Sequence, residues 1–335
     1  MTLGLGIDTS FDDTAVALVA DGRRILSNLC VSQFAEHSEF GGIVPERASR
    51  LHIEMIHPLL EKSLSDTGTA LRDLDFVAVT NRPGLIGSLL VGVTTAKALS
   101  MALGIPLIGV NHLEAHIYAA FMDCEDLDFP FVSLLISGAN TLIFSNREHR
   151  DFDVLGGSLD DAVGECIDKC GRFLGLALPA GPAVEKLALE GDPGTRPFPR
   201  PMIGSGDLNF SFSGLKTALV YALRDDPDLS PADAAAALLD AIADVLVKKT
   251  FRAAAQEGVS TIVLCGGAAA NRQIREAFAA RGAAERIRVV HPSKILCTDN
   301  AAMVAGLAHH LFLRGEHSSL DLPVEANVSW KKAGD

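Results

Sequence analysis

Two histidines, His112 and His116, lie four residues apart in "NHLEAHIYAAF". On a helix of 3.6 residues per turn this spacing brings both imidazoles onto nearly one face, about 6 Å apart along the axis. That arrangement can hold a metal ion, and it equally describes two histidines on a solvated or core-packed helix face. Glu114 falls between them in sequence but about 180° around the helix from their shared midline. In the HExxH metalloprotease motif the acid stands beside the first histidine, where it acts as base on a metal-bound water. The HxExH order found here argues against a protease.

Further chemistry-bearing residues sit in short polar turns. "GIDTSFDDT" bends an apolar strand back on itself with Asp8, Thr9, Ser10, Asp12 and Asp13 expected at an exposed tip. Such a tip offers hydroxyls, backbone N–H groups and carboxylates to a phosphate and its metal. "SGANT" repeats the theme with Ser137, Gly138, Asn140 and Thr141. Each is also what an ordinary polar hairpin turn looks like. In "VLCGGAAANRQIR", Gly266 and Gly267 allow backbone to approach a ligand, and Asn271 can present its amide at a helix start. In "TDNAAMVAGLAHH", Thr298, Asp299 or Asn300 can each cap the helix that follows.

The elements that must position these residues fall into two halves with related openings. The first begins with apolar runs separated by polar turns and "DG", the pattern of successive hairpin strands. A helix from about Val44 to Ser63, the strand "FVAVT", a helix from about Leu85, the strand "PLIGV" and the His-bearing helix follow. The second half restarts with "FPFVSLLISGANTLIFSN", then helices near 160–175, 213–224 and 231–257. The strand "TIVLCGG", a helix after Asn271, the strand "IRVV" and a helix from Ala301 complete it. This predicts an α/β chain of two duplicated mixed-sheet domains, 1–125 and 126–335, with a ligand cleft between them. The tail after about Ser318 reads as irregular.

Length and composition agree with two domains: 335 residues, 48% apolar and 21% charged. No stretch near the N-terminus pairs a basic segment with an apolar core and a cleavage site. The most apolar run, "GLIGSLLVGVTTAKALSMALG", is broken by Thr, Lys, Ser and Gly, so no membrane span is expected and the protein reads as cytoplasmic. Six scattered cysteines suit reduced thiols, with Cys166 and Cys170 of "ECIDKC" sharing a helix face as core packing. A net charge of −13 argues against a uniformly nucleic-acid-binding surface. It leaves local basic candidates at Arg47, Arg50, Arg82, Arg196, Arg200, Lys248, Lys249 and Arg252, each of which also fits a solvated helix face.

The paired turns resemble the phosphate loops of the actin and sugar-kinase-like (ASKHA) superfamily. A narrower resemblance runs over essentially the whole chain. "GGIVPERASRLH", "NHLEAHIYA", "LDDAVGECIDKCGRFLGL", "PAGPAVEKLA", "FSFSGLKTA", "GGAAANRQIR" and "CTDNAAMVA" follow the order found in the TsaD family of tRNA threonylcarbamoyladenosine transferases, historically also called O-sialoglycoprotein endopeptidases. The resemblance implies a two-domain actin-like fold and one divalent metal, Fe(2+) favoured and Zn(2+) allowed, on His112, His116 and Asp299. It implies transfer of threonylcarbamoyl from threonylcarbamoyl-AMP to N6 of the adenosine 3′ of the anticodon in tRNAs reading codons that begin with A. Leu135, Ile136, Ser137, Gly138 and Ala139 match the family's substrate loop; Asp168, Gly181, Asn271 and Glu185 match its other substrate contacts. Asp168 also reads as a helix-surface acid and Gly181 as a turn glycine. Partners implied are a smaller paralogous, TsaB-like subunit and a TsaE-like ATPase subunit. Asp12 or Asp13 is read as assisting proton removal from the attacking amine. An actin-like ATP-binding or ATPase protein without acyl transfer, and a metalloprotease, are the alternatives.

This sequence departs from the family pattern in places. The usual E-T-S-C-D-E-T is "DTSFDDT", which puts Phe11 in place of a cysteine and shortens two acids; S-G-G-H-T is "SGANT"; G-P-G is "NRPG". If Ala139 must adopt positive φ, it costs about 1 kcal/mol or redirects the loop. From its acidity, the isolated chain is expected to bind tRNA weakly.

Overall fold

Asp21 and Gly22 both take positive φ, 51° and 73°, and with Arg23 close the hairpin that the "DG" pair predicts. The turn joins β2 (Asp13–Ala20) to β3 (Arg24–Ser32), and β2 in turn pairs antiparallel with β1 (Leu3–Asp8). Two further strands, β4 (Phe76–Arg82) and β5 (Leu107–Asn111), add in parallel on the other side of β1, giving the order β3-β2-β1-β4-β5. These belong to a computed structural model that describes residues 1–38, 40 and 42–328.

The first unit comprises Met1–Leu127 and residues 292–328. β1 is central and every residue in it is buried. One side of the sheet is covered by the helices Pro45–Thr67 and Ile86–Leu103, whose apolar residues Ile56, Leu59, Leu60, Val93 and Ala96 join Leu5, Ile7, Val16, Leu18, Val77 and Val79 in one core. The helix Ala301–Leu313 packs against β1, β2, β4 and β5. The helix Ile86–Leu103, read above as too interrupted to span a membrane, is long and apolar enough by length and composition; here it packs on β4. Residues after Ser318, read as irregular, form a strap. Ser318 bridges Leu107, Pro323 and Leu322 carbonyls accept from Asn81 and Lys97, and Glu325 and Ala326 bond the backbone of Asn81 and Gly84.

The second unit, Asp128–His291, holds β6 (Phe131–Ile136), β7 (Thr141–Glu148), β8 (Asp151–Gly157), β9 (Thr261–Cys265) and β10 (Arg288–Val290) in the order β10-β9-β6-β7-β8. Its antiparallel and parallel pairings repeat those of the first sheet. The duplication expected from the sequence is therefore present. The long helix Pro231–Glu257 matches its expected range, with Ser230 capping it through Asp233 N–H.

The expected division at 125/126 needs one correction: residues 292–328 belong with the first unit. The physical reason is the helix Ala301–Leu313, whose buried residues Ala301 to Ala305, Leu307 and Ala308 complete the core around β1. β8 and the short helices Phe34–Ser38, Gly181–Ala188 and Lys294–Cys297 were not anticipated.

Candidate functional site

The helix His112–Asp123 starts at Asn111, whose side chain accepts from the N–H groups of Leu113 and Glu114. This cap leaves His112 at the first helical position and His116 one turn on, both buried. Their Nε2 atoms lie 3.2 Å apart, and Asp299 Oδ1 is 3.4 Å from His112 Nε2 and 3.2 Å from His116 Nε2. One ligand atom from each of the three residues falls within 4.8 Å of the others. Asn300, not Asp299, caps the following helix by accepting from Met303 N–H, which frees the Asp299 carboxylate for this cluster.

Asp8 stands behind His112. Its Oδ2 is 3.1 Å from His112 Nδ1, while its Oδ1 accepts from Ser10 N–H. A carboxylate accepts only, so His112 Nδ1 carries the hydrogen and its Nε2 lone pair faces the cluster. Three electron-pair donors of imidazole and carboxylate type thus converge on one point, and this donor set fits a divalent transition metal. Among the described residues His116 Nδ1 is buried without a hydrogen-bond partner, so none of them fixes its tautomer against metal binding. Burial opposes charge on His112, but Asp299 and Asp8 raise its pKa to about 10. Burial and the charge of His112 lower that of His116. Burial disfavours the Asp299 carboxylate, yet His112 and His116 hold it well below the usual range. A cation and the His112 proton compete for the same lone pairs.

The first polar turn differs from expectation. Asp8, Thr9 and Ser10 are buried rather than exposed, and Phe11, Asp12 and Asp13 are partly accessible. β1 lies between β2 and β4 and has the helices Ile86–Leu103 and Ala301–Leu313 packed against it, so its side chains are covered and Asp8 works inside. Burial, then the charge of Asp299, raises the pKa of Asp12 and lifts that of Asp13 to about 7. Both acids therefore feel the charge of Asp299. Phe11, which replaces the family's cysteine, sets its ring edge-on to His112 at 5.7 Å.

In the second unit, the SGANT turn connects β6 and β7. Leu135 and Ile136 have fully buried side chains, so of the expected substrate loop these two can offer only backbone. Gly138 and Ala139 are exposed, and neither has positive φ, which removes the anticipated strain at Ala139. The start of the helix Val163–Phe173 grips the loop: Gly164 N–H donates to Ser137 O and Glu165 N–H to Gly138 O. Gly266, at φ 87°, would place a Cβ 2.5 Å from Ile136 O, so the Gly-Gly turn lies directly against the same loop. Asp168 accepts from Ala180 N–H at 2.7 Å and also from Gly181 N–H, which brings these candidates together as a brace for the helix Gly181–Ala188. Burial nevertheless raises its pKa. Asn271 caps the helix Arg272–Glu285 through Ile274 N–H, and Glu185 interacts electrostatically with Arg272.

Most of the basic candidates have local partners. Arg47 pairs with Glu36, Arg50 with Glu46, Arg82 with Glu325 and Arg200 with Asp240 and Asp244. Lys249, read as a surface residue, is fully buried and donates to Ser205 Oγ and the Asn209 carbonyl. The sequence also gave no notice of Asp8 as the brace of His112. The available signal was a lone acid ending a wholly apolar run.

Comparison with known proteins comes down on one family. The family model described as TsaD, tRNA N6-adenosine threonylcarbamoyltransferase, matches residues 24–306. A protein of that name from Symbiobacterium thermophilum is 47% identical over 321 residues, covering 95% of this chain and 94% of the relative. One from Anaeromyxobacter dehalogenans is 45% identical, covering 99% and 100%. Among solved structures, component A of (R)-2-hydroxyglutaryl-CoA dehydratase from Acidaminococcus fermentans aligns with a TM-score of 0.57 at 14% identity, over 92% of this chain and 97% of that one. Full-length HypF aligns with a TM-score of 0.64 at 13% identity, over 95% of this chain and 47% of that one. These two likenesses concern the fold, which is of the actin-like ASKHA type.

Proposed function

The chain belongs to the TsaD family of tRNA N6-adenosine threonylcarbamoyltransferases, and from that footing we propose how its residues divide the work. It is a transferase that moves threonylcarbamoyl from threonylcarbamoyl-AMP to N6 of the adenosine 3′ of the anticodon, in tRNAs reading codons that begin with A. The single observation that carries the assignment of the metal is the convergence of His112, His116 and Asp299, with Asp8 orienting His112. A divalent ion there, iron by family resemblance with zinc compatible with the same ligands, would supply Lewis acidity toward a donor oxygen.

The chain's own residues do the rest. Backbone of Ser137, Gly138 and Ala139 holds the AMP part of the donor, with Asp168, Gly181, Glu185 and Asn271 framing the pocket. The adenine amine attacks the carbamoyl carbon, its bond to the phosphate oxygen breaks and AMP leaves. Asp13, whose pKa of about 7 suits a proton acceptor near neutrality, or Asp12 takes the amine proton. Because an exocyclic amine is a weak nucleophile, fixed placement of donor and acceptor supplies much of the acceleration. A TsaB-like paralogue and a TsaE-like ATPase work with the chain in the cytoplasm, and partner subunits complete the tRNA-binding surface that its own paired arginines leave incomplete.

The test is reconstitution with unmodified tRNA, donor and those partners, followed by mass spectrometry of the nucleosides and elemental analysis of the protein. Wild type is expected to form the modified nucleoside and to carry one divalent metal per chain. The double variant His112→Ala with His116→Ala is expected to lose both while remaining folded. Glu114→Gln should keep most of the transfer, since Glu114 is not among the converging ligands. A metal retained by the double variant, or a Glu114→Gln protein as inactive as it, would refute the assignment.

A further inference from the structure

His52 lies on the helix Pro45–Thr67, outside every motif role given so far, and its side chain is wholly buried. Both ring nitrogens are engaged. Nε2 is 2.9 Å from the Phe11 carbonyl oxygen; Nδ1 is 2.7 Å from Thr14 Oγ1 and 3.2 Å from Gln33 Nε2. A carbonyl can only accept, so Nε2 bears the hydrogen. Nδ1 is then the acceptor, and it receives the Thr14 hydroxyl and the Gln33 amide.

The rest of the network agrees with this assignment. Gln33 Oε1 faces His37 Nε2 at 3.2 Å, and Val44 N–H donates to His37 Nδ1, so His37 too carries its hydrogen on Nε2 and the Gln33 amide is oriented with its nitrogen toward His52. Gln33 Nε2 also donates to Ala48 O, and Gln33 N–H donates to Asp12 O at 2.9 Å. Two consecutive carbonyls of the first loop, those of Phe11 and Asp12, are thus held by His52 and Gln33. On its other side Phe11 places its ring edge against His112.

We infer that His52, in its Nε2–H tautomer, is a positioning residue for the transfer reaction: by holding the Phe11 carbonyl it seats the Phe11 ring against His112 and aims Asp12 and Asp13 at the His112, His116 and Asp299 cluster. A histidine that merely filled the core would need no particular tautomer, and its Nε2–H would not need to meet the carbonyl of the one peptide that joins Phe11 to Asp12. The inference rests on the metal reading above only for what the loop serves.

Gln and Asn substitutions separate the two nitrogens. His52→Gln reaches the Nε2 position and can still donate to Phe11 O, whereas His52→Asn reaches only the Nδ1 position and leaves that carbonyl unpaired in a buried place. Both proteins would be purified beside wild type and compared in thermal unfolding, metal loss to a chelator and steady-state transfer with the partner subunits. The expected result is that His52→Asn lowers kcat by about tenfold or more and loses metal correspondingly faster, with KM for tRNA unchanged. His52→Gln should keep kcat within about threefold of wild type and hold its metal as wild type does. Equal kcat and metal retention in wild type and His52→Asn would overturn the inference, as would parallel loss of melting temperature and kcat in both variants. Imidazole 15N shifts of labelled wild type give an independent reading that needs no metal: a hydrogen on Nδ1 of His52 would overturn the tautomer, whereas metal-free wild type with hydrogen on Nε2 would count against the metal reading alone.

Discussion

Replacing Gly164 by alanine should damage transfer far more than folding. Gly164 sits in the first turn of the helix Val163–Phe173, and a Cβ built there falls 2.6 Å from Ser137 O, 2.8 Å from Gly138 Cα and 3.0 Å from Gly138 N. All three atoms are backbone, so no rotamer change relieves the contact. Restoring the 3.4 Å of ordinary contact from 2.6 Å requires the SGANT loop to move by about 0.8 Å, and a misplacement on the order of 1 Å can lower a rate about a hundredfold. Stability changes less, because alanine improves helix propensity by about 1 kcal/mol while overpacking costs about 1–3 kcal/mol. The net loss is then about 0–2 kcal/mol, a fall of a few degrees in melting temperature for a unit of this size. Calorimetric binding of AMP, differential scanning calorimetry and single-turnover transfer measure the three quantities. Wild-type AMP affinity and transfer in Gly164→Ala would refute the claim that this loop, pinned by this helix, holds the donor.

Asp8→Asn should weaken metal binding by roughly 10–100-fold, because one amide cannot accept from both His112 Nδ1–H and Ser10 N–H through its two ends; competition with a chelator measures it. Asp160 accepts from Ser211 Oγ, Phe212 N–H and both the N–H and Oγ of Ser213, at the start of the helix Ser213–Asp225. Burial opposes its charge but these bonds bring its pKa to about 2 from 3.8. A depressed carboxyl pKa contributes stability above the unfolded value that is lost as pH falls toward the folded one, so the melting temperature of wild type should fall between about pH 4 and pH 2 more steeply than that of Asp160→Asn. Lys249→Met leaves the Asn209 carbonyl and Ser205 hydroxyl without their buried donor, and should lower stability in urea by about 1–3 kcal/mol.

His112 and His116 were legible because their relation is local: one turn of helix decides whether the rings meet. Asp299 is 183 residues from His116, and no periodicity spans that distance; it could be named only through the motif order. Asn300 and Asp299 compete for the same cap on local grounds, and the contest is settled by what faces Asp299 across the first unit. Asp8 was misread because exposure was inferred from polarity, whereas β1 is the central strand and carries the helices Ile86–Leu103 and Ala301–Leu313 packed against it. β8 escaped notice since "DFDVLGG" neither alternates cleanly nor forms an apolar run, and its pairing with β7 is what makes it a strand. Lys249 shows the opposite error: a cation in a basic helix segment is buried because carbonyls from residues 207 and 209 come to it.

The first unit is closed by a segment, 292–328, that follows the stretch Asp128–His291 of the second unit in sequence. Until Ala301–Leu313 has emerged, one side of β1 and β4 lacks its covering helix, and until Asp299 has emerged the two histidines lack their carboxylate. The described residues of the second unit, by contrast, run without interruption from Asp128 to His291. The first sheet is thus made early but completed by residues made much later, and its three converging ligands are together only once residue 299 has been made. A chain stopped short of residue 299 would leave that face of the apolar sheet without its covering helix and would lack one of the three converging ligands.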